Sequence, residues 1–458
     1  MTTTYVQNQQ NNVCLFGNIG AGHLSPMLGL AKILAARGWN VFFYAHANAR
    51  TKVEATGASW CNYGADDWDL FNTAQWATTN LLSLEAEPLQ DLSIVRAAPS
   101  ATIAMLPHLL RELELRRPAF TVHDAAAPWG FVAARLAGLP SVCSMSAFPM
   151  TAEQAVRSYP VGPIQAAACR YLFDQYQFEY DPAASYVNYS DFTLVFTARV
   201  WAGNGSAPTA HNFCIAPLDE AASTQHPSLE IARAGKAAGK KIAYLSLGTV
   251  VNGTLREYYK PVVHRIFSDV IGALSGRNDV HLIISEGLPN PTSTGKSSFR
   301  PNENGAGERV TIFHYLEQRE LLPYVDLFVT HAGMNSTNEA AWHGVPVVCC
   351  PFFGDGILNA QRFAELGAGL VLNYQIATPA EVAQGQAACM AQGISATTVR
   401  DALFAVLDDP KYREAAAALQ QQFRTELDLD AAVDRLLTWV ETRTSQRHHA
   451  EESALIVT

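Results

Sequence analysis

Short β-rich runs alternate with amphipathic stretches along most of this 458-residue chain, and few architectures accept that alternation. In the first half "VCLFG" (13–17) precedes "LSPMLGLAKILAARG" (24–38) and "VFFYAH" (41–46), and "AFTVHD" (119–124) precedes "FVAARLAG" (131–138) and "PSVCSMS" (140–146). Gly38 and Gly138 fall where helix C-caps belong, each shortly before a strand. After a break the second half repeats the pattern with "IAYLSLG" (242–248), "VHLIISEG" (280–287), "VTIFHYL" (310–316), "LFVTHAG" (327–333) and "VPVVCCPFF" (345–353). Strands joined by helical crossovers run parallel, so the expectation is an α/β protein of two doubly wound, Rossmann-like domains.

The break lies in "WAGNGSAPTAHN" (201–212) and "IARAGKAAGKK" (231–241). It sets the expected boundaries: a first domain over 1–215, a linker over 216–240 and a second domain over 241–425. A helix over 426–443 is expected to pack back on the first domain, with a disordered tail over 444–458. Turn residues throughout 290–308 predict a mobile surface loop.

With 48% hydrophobic and 16% charged residues the chain has the composition of a globular protein. A net charge of −10 without basic clusters argues against nucleic acid as a partner. The opening "MTTTYVQNQQNN" has no apolar core of a signal peptide, and no apolar run approaches the roughly 18 residues of a membrane span. A soluble, cytoplasmic enzyme is the expectation. Eight cysteines are scattered without CxxC spacing and read as buried free thiols, and His448/His449 sit in a polar tail, so no metal site is expected.

The turn "GNIGAGH" carries Gly17, Gly20 and Gly22 between a strand and a helix, but not in the order GxGxxG. The following strand ends "FFYAH" without the carboxylate that a nicotinamide cofactor's ribose wants, which weakens an oxidoreductase reading. The glycines would let a ligand approach the backbone, with His23 projecting into that space from the first helical turn. An imidazole there can take a proton from a hydroxyl if a carboxylate fixes its tautomer, and Asp124, at the end of a strand of the same sheet, is the candidate. The residues alone also fit a His23 bonded to solvent and an Asp124 that caps the next helix. His123, on the opposite face, reads as structural.

The segment "THAGMNSTNEAAWHGVPVVCCPFFGDGILNAQRFAELGAGLVL" (330–372) combines small residues at a strand end, hydroxyl and amide groups opening a helix, and an acidic loop after the next strand. A phosphate fits such a helix N-terminus. The segment resembles the donor signature of the UDP-sugar-dependent family 1 glycosyltransferases, of macrolide type, and "YLSLGTV" and "GHLSPMLGLAKILAARGW" resemble the same family, over about residues 13–443.

The resemblance implies a GT-B fold, two Rossmann-like domains facing across a cleft, with the acceptor in the first and the nucleotide sugar in the second. It implies an inverting, metal-independent transfer of a hexose, glucose first, from a UDP-sugar co-substrate to a hydroxyl of a hydrophobic small molecule such as a phenol or polyketide. No cofactor is implied. His23 matches the general base and Asp124 its supporting carboxylate. Tyr315 stands where an aromatic, usually Trp, stacks on uracil, and Gln318 where a glutamine contacts the nucleotide. His331, Gly333, Asn335 and Ser336 match the diphosphate site, with Ser246 and Thr249 lining the same region. Glu339 matches the ribose carboxylate and Asp355 the sugar carboxylate.

Other readings stay open for several of these. Ser336 and Glu339 also spell an S-x-x-E capping box, and Tyr315 also fits an ordinary strand aromatic. The chain departs from the family at Ala332, where a glycine is usual, and at Gly356, where a sugar-gripping glutamine is expected; the second departure implies tolerance for more than one hexose. "DDWD" (66–69) contains the DxD of a metal-dependent transferase fold but reads as a solvated loop. Around it Trp60, Tyr63, Trp68, Phe71 and Trp76 suit either a flat apolar acceptor or a structural cluster. A non-catalytic auxiliary of another glycosyltransferase is a further alternative, although such a protein needs no proton relay.

Overall fold

The computed structural model describes residues 11–64, 68–86, 94–151, 153–155, 161–181, 190–202, 213–214, 226–248, 251, 256–287, 309–352, 354–374, 394–426 and 428–456. The chain divides into two compact units, Met1–Leu218 with Glu426–Thr458, and Asp219–Thr425.

In the first unit seven strands form one parallel sheet: β1 (Asn12–Phe16), β2 (Asn40–Tyr44), β3 (Ser59–Cys61), β4 (Phe120–Asp124), β5 (Ser141–Met145), β6 (Phe192–Val195) and β7 (Phe213–Cys214). Their order is β3-β2-β1-β4-β5-β6-β7. The order reverses between β1 and β4, and at such a switch point the two following turns diverge and leave room for a ligand beyond the strand ends. Residues of β1, β4 and β5 are buried on both faces, as helix-covered parallel strands must be. Helix Ala21–Ala36 covers one face with Met27, Leu30, Ala31 and Leu34, a helical stripe that is wholly buried. Gly38 and Gly138 lie just past helices Ala21–Ala36 and Pro128–Leu136 with φ of +83° and +63°, the left-handed conformation that ends helices.

The chain's last helix, Leu429–Ile456, completes that same core with Ala432, Val433, Leu436 and Val440. Arg37 bonds Asp430 and Asp434 at its edge. The helix runs past residue 443, where the sequence reading starts a disordered tail. The reason is local: 444–456 contains neither Gly nor Pro, so an established helix propagates through it.

The second unit carries a six-stranded parallel sheet: β8 (Lys241–Ser246), β9 (Val280–Ser285), β10 (Val310–Phe313), β11 (Leu327–Thr330), β12 (Val347–Cys349) and β13 (Gly369–Val371). Its order is β10-β9-β8-β11-β12-β13, with the switch point between β8 and β11. Helix Pro227–Ala237 corrects the expected linker of 216–240: Leu229 and Ala232 are buried, and Lys236 pairs with Asp326 of this unit at 2.7 Å. Its glycines misled the sequence reading. Gly235 is a packing residue, since a Cβ there would meet the Ile242 side chain at 2.7 Å. Residues 290–308 lie outside the described residues. Among the described residues no helix is long and apolar enough to cross a membrane.

Candidate active site

At the first switch point the strand ends of β1 and β4 bring His23 and Asp124 together. Helix Ala21–Ala36 opens at Gly20, so His23 lies in its first turn, and its backbone amide donates to the Gly20 carbonyl. His23 Nδ1 stands 2.9 Å from Asp124 Oδ1 and 3.1 Å from Oδ2. The His23 side chain is 29% exposed and that of Asp124 is fully buried, so the pair has one wet and one dry end. Asp124 is not the N-cap of the next helix: that helix begins at Pro128 behind Ala127, and Asp124 Oδ1 accepts instead from the Ala126 amide at 2.8 Å. A third polar group, absent from the sequence reading, joins them. Ser146, just past β5, has its Oγ 2.9 Å from His23 Nδ1.

The glycines before His23 serve the protein itself. A Cβ on Gly17 would meet the Phe43 ring at 2.9 Å, and one on Gly20 would meet His23 Cδ2 at 3.1 Å. They make room for a core phenylalanine and for the imidazole. His123 is fully buried, edge-on to Phe131.

The aromatic group near "DDWD" is largely core. The buried Tyr63 donates from its hydroxyl to the Gly17 and Tyr44 carbonyls at 2.7 and 2.9 Å, and Trp60 donates to Ala45. Trp68 packs on Tyr63 and Trp129, and Phe71 is half-buried. Trp76 alone of the five is exposed, at 54%. Asp69 caps helix Leu70–Asn80 by accepting from the Asn72 amide at 2.8 Å, a structural use of that carboxylate; Asp67 lies outside the described residues.

In the second unit the switch point gathers another set. Ser246 ends β8, and its buried Oγ lies 3.4 Å from the Gly248 amide. Thr249 lies outside the described residues. His331 follows β11 directly, and its ring is wedged between two glycines. A Cβ at Gly248 would sit 2.4 Å from its Cε1, and one at Gly333 2.4 Å from its Nε2. Burial pushes His331 down to about 4, so the ring is neutral, and its buried Nδ1 has no hydrogen-bond partner among the described residues. An unsatisfied buried ring nitrogen costs free energy that a ligand would recover.

Ala332 then adopts φ +62°, a conformation that costs a non-glycine residue roughly 1 kcal/mol or more. Its carbonyl accepts from Asn359 Nδ2 at 2.9 Å and Thr337 Oγ1 at 3.3 Å, which hold the turn. Helix Met334–His343 starts at Gly333 with no side-chain cap. This overturns the capping-box reading: Ser336 is the third and Glu339 the sixth helical residue, too far in to cap the first turn. The positive end of the helix dipole is therefore left to Gly333, Met334, Asn335 and Ser336.

Gln318, opening helix Gln318–Leu321, donates from Nε2 to Glu339 Oε2 at 2.6 Å and to Ser336 Oγ at 3.3 Å, and accepts from the Tyr244 hydroxyl. Burial pushes Glu339 up to about 7. Tyr315 lies two residues beyond β10, off the strand, half-buried with its hydroxyl on Glu317 at 3.0 Å. Asp355 opens helix Asp355–Glu365. Gly356 packs against the turn that follows β11: a Cβ there would come 3.0 Å from the His331 carbonyl.

Glu339 supports a prediction with a definite sign. A carboxyl raised from 4.5 to about 7 on folding keeps its proton while the unfolded chain has lost it, so stability falls as pH rises through that window and is flat above it. Glu339→Gln should match wild type in Tm near pH 4.5 and exceed it at pH 8. Equal Tm differences at both pH values would remove burial as the cause.

A sequence model of the family described as UDP-glucoronosyl and UDP-glucosyl transferase matches residues 171–449. A Bacillus subtilis (strain 168) protein described as the uncharacterized UDP-glucosyltransferase YojK is 23% identical over 452 residues, 94% of this chain and 98% of that relative. Among solved structures, the glycosyltransferase of kitacinnamycin superposes with TM-score 0.69 at 22% identity, covering 94% of this chain and 100% of that one. The calicheamicin glycosyltransferase CalG4 superposes with TM-score 0.67 at 18% identity, covering 94% and 99%. These likenesses fix the architecture as GT-B.

Proposed function

Since the chain belongs to the UDP-glucoronosyl and UDP-glucosyl transferase family and is a UDP-sugar glycosyltransferase, we propose that it moves a hexose, glucose first, to a hydroxyl of a hydrophobic small molecule, with inversion and without a metal. One observation carries the reading: a part-exposed imidazole held by a fully buried carboxylate at a topological switch point. A base so built has its tautomer fixed from behind, which puts the basic lone pair on the other nitrogen.

In this reading the acceptor hydroxyl gives its proton to His23 as its oxygen attacks the anomeric carbon from the face opposite UDP. The bond to the diphosphate breaks, and the electron pair leaves with UDP. That charge is met by His331 and by the uncapped helix start at Gly333, Asn335 and Ser336. Tyr315 stacks on uracil, Gln318 contacts the nucleotide and Ser246 lines the site. Glu339 holds the ribose hydroxyls, whose donation relieves a carboxylate that burial disfavours. Asp355 holds the sugar.

At Gly356 only backbone is offered to the sugar, and packing against the His331 carbonyl gives a reason why no glutamine stands there. The donor is then gripped through UDP and Asp355, with more than one hexose accepted. The partly exposed aromatics Trp68, Phe71 and Trp76 suit a flat apolar acceptor, such as a phenol or a polyketide.

The test is mass spectrometry of the protein incubated in EDTA with UDP- and dTDP-sugars and a mixed phenol, polyketide and sterol library. The expected result is acceptor mass gain of one hexose from UDP-glucose and from at least one other UDP-hexose. Transfer that appears only when Mn²⁺ is restored would end the metal-independent reading.

A further inference from the structure

Ser146 touches both members of the His23–Asp124 pair. Its Oγ lies 2.9 Å from His23 Nδ1 and 3.1 Å from Asp124 Oδ2, and the residue is buried. The same Nδ1 is 2.9 and 3.1 Å from the two carboxylate oxygens, and Asp124 Oδ1 also accepts from the Ala126 amide.

The donor and acceptor arithmetic leaves one consistent arrangement. An ionised carboxylate only accepts, so the serine proton goes to Asp124 Oδ2, and a serine lone pair then faces His23 Nδ1. Nδ1 is thus surrounded by three oxygens that want a proton from it. The tautomer with hydrogen on Nε2 would set its Nδ1 lone pair against all three. We infer that Ser146 is a positioning residue that, with Asp124, locks His23 in the Nδ1–H form, which puts the basic lone pair on Nε2. The inference rests on the reading of His23 as the base. It adds that the lock is shared: the serine oxygen faces Nδ1 as an acceptor because its own proton is given to Asp124.

The test joins kinetics to ¹⁵N NMR of histidine-labelled full-length protein, with the His23 signals assigned by their loss in His23→Ala. Wild type should show the Nδ1–H pattern, and Ser146→Ala a mixture of tautomers. Losing one net hydrogen bond predicts kcat lower by roughly 3- to 10-fold. Donor KM and Tm should stay unchanged, whereas a merely structural role would move Tm and leave the tautomer alone. Asp124→Asn should retain more activity than His23→Ala, and Asp124→Asn with Ser146→Ala should fall to the His23→Ala level. A Ser146→Ala protein within twofold of wild type in kcat with an unchanged spectrum overturns the inference. If His23→Ala itself stays active, the reading of the base falls, and that outcome is distinct.

Discussion

His23→Ala should lower turnover by roughly 10²- to 10⁴-fold, the range that a positioned general base contributes, while leaving UDP affinity within twofold of wild type. The two halves of this expectation come from different places. Turnover falls because the acceptor hydroxyl loses the group that takes its proton, and nothing else in the trio can replace it: Asp124 is fully buried and Ser146 is a poor base. UDP affinity holds because every residue assigned to the nucleotide belongs to the other unit. Folding should be little disturbed, since the imidazole is part exposed. The loss should shrink for acceptors acidic enough to be ionised already. Single-turnover rates with saturating UDP-glucose, alongside calorimetry of UDP, decide it. Turnover within threefold of wild type would remove His23 from the mechanism.

The second large effect is expected from a single methyl group. Gly333→Ala should weaken UDP binding by roughly 10- to 100-fold, the cost of losing a hydrogen bond to a charged partner. Alanine is compatible with the backbone here, because Gly333 has φ −62°. The conflict is with the neighbouring ring: the new Cβ would lie 2.4 Å from His331 Nε2, and the ring cannot stay where it is. It has little room on the other side, where the Gly248 Cα lies close. His331 should therefore be displaced from the diphosphate while the sheet is unaffected. Calorimetric UDP titration of Gly333→Ala and His331→Ala tests this, and the two losses should be similar and not additive. Wild-type UDP affinity in Gly333→Ala would mean that His331 does not touch the diphosphate.

The strands were easy to read in advance because helix-covered parallel strands are nearly continuous apolar runs, as in "IAYLS" and "HLIIS". The meeting of His23 and Asp124 was legible because one lies in the first turn of the helix after β1 and the other ends β4 of the same sheet. Ser146 occupies an equivalent place after β5, and examining each strand's last residues for polar groups would have found it. Other features leave no such mark. Ser336 looks like a helix cap in one dimension, but the helix starts three residues earlier at a glycine. The left-handed backbone at Ala332 is hinted at only by the glycine usual at that place, and its carbonyl is held by Asn359 from 27 residues away. The glycines at 17, 20 and 356 signal close approach without saying of what, and in each case the neighbour is the protein itself.

The first unit is made from both ends of the chain, and this has a bearing on how the protein is born. Leu436, Val433 and their neighbours are synthesised after the whole second unit, yet they close a core whose strands emerged before it. Between the two come about 200 residues that build the other unit. At roughly 5–20 residues per second, the apolar face of helix Ala21–Ala36 and its sheet waits uncovered on the ribosome for some tens of seconds. The intervening unit is continuous in sequence and can fold while the first one waits. A chain halted before residue 429 would then carry one finished unit and one exposed core, the state that chaperones hold and proteases clear.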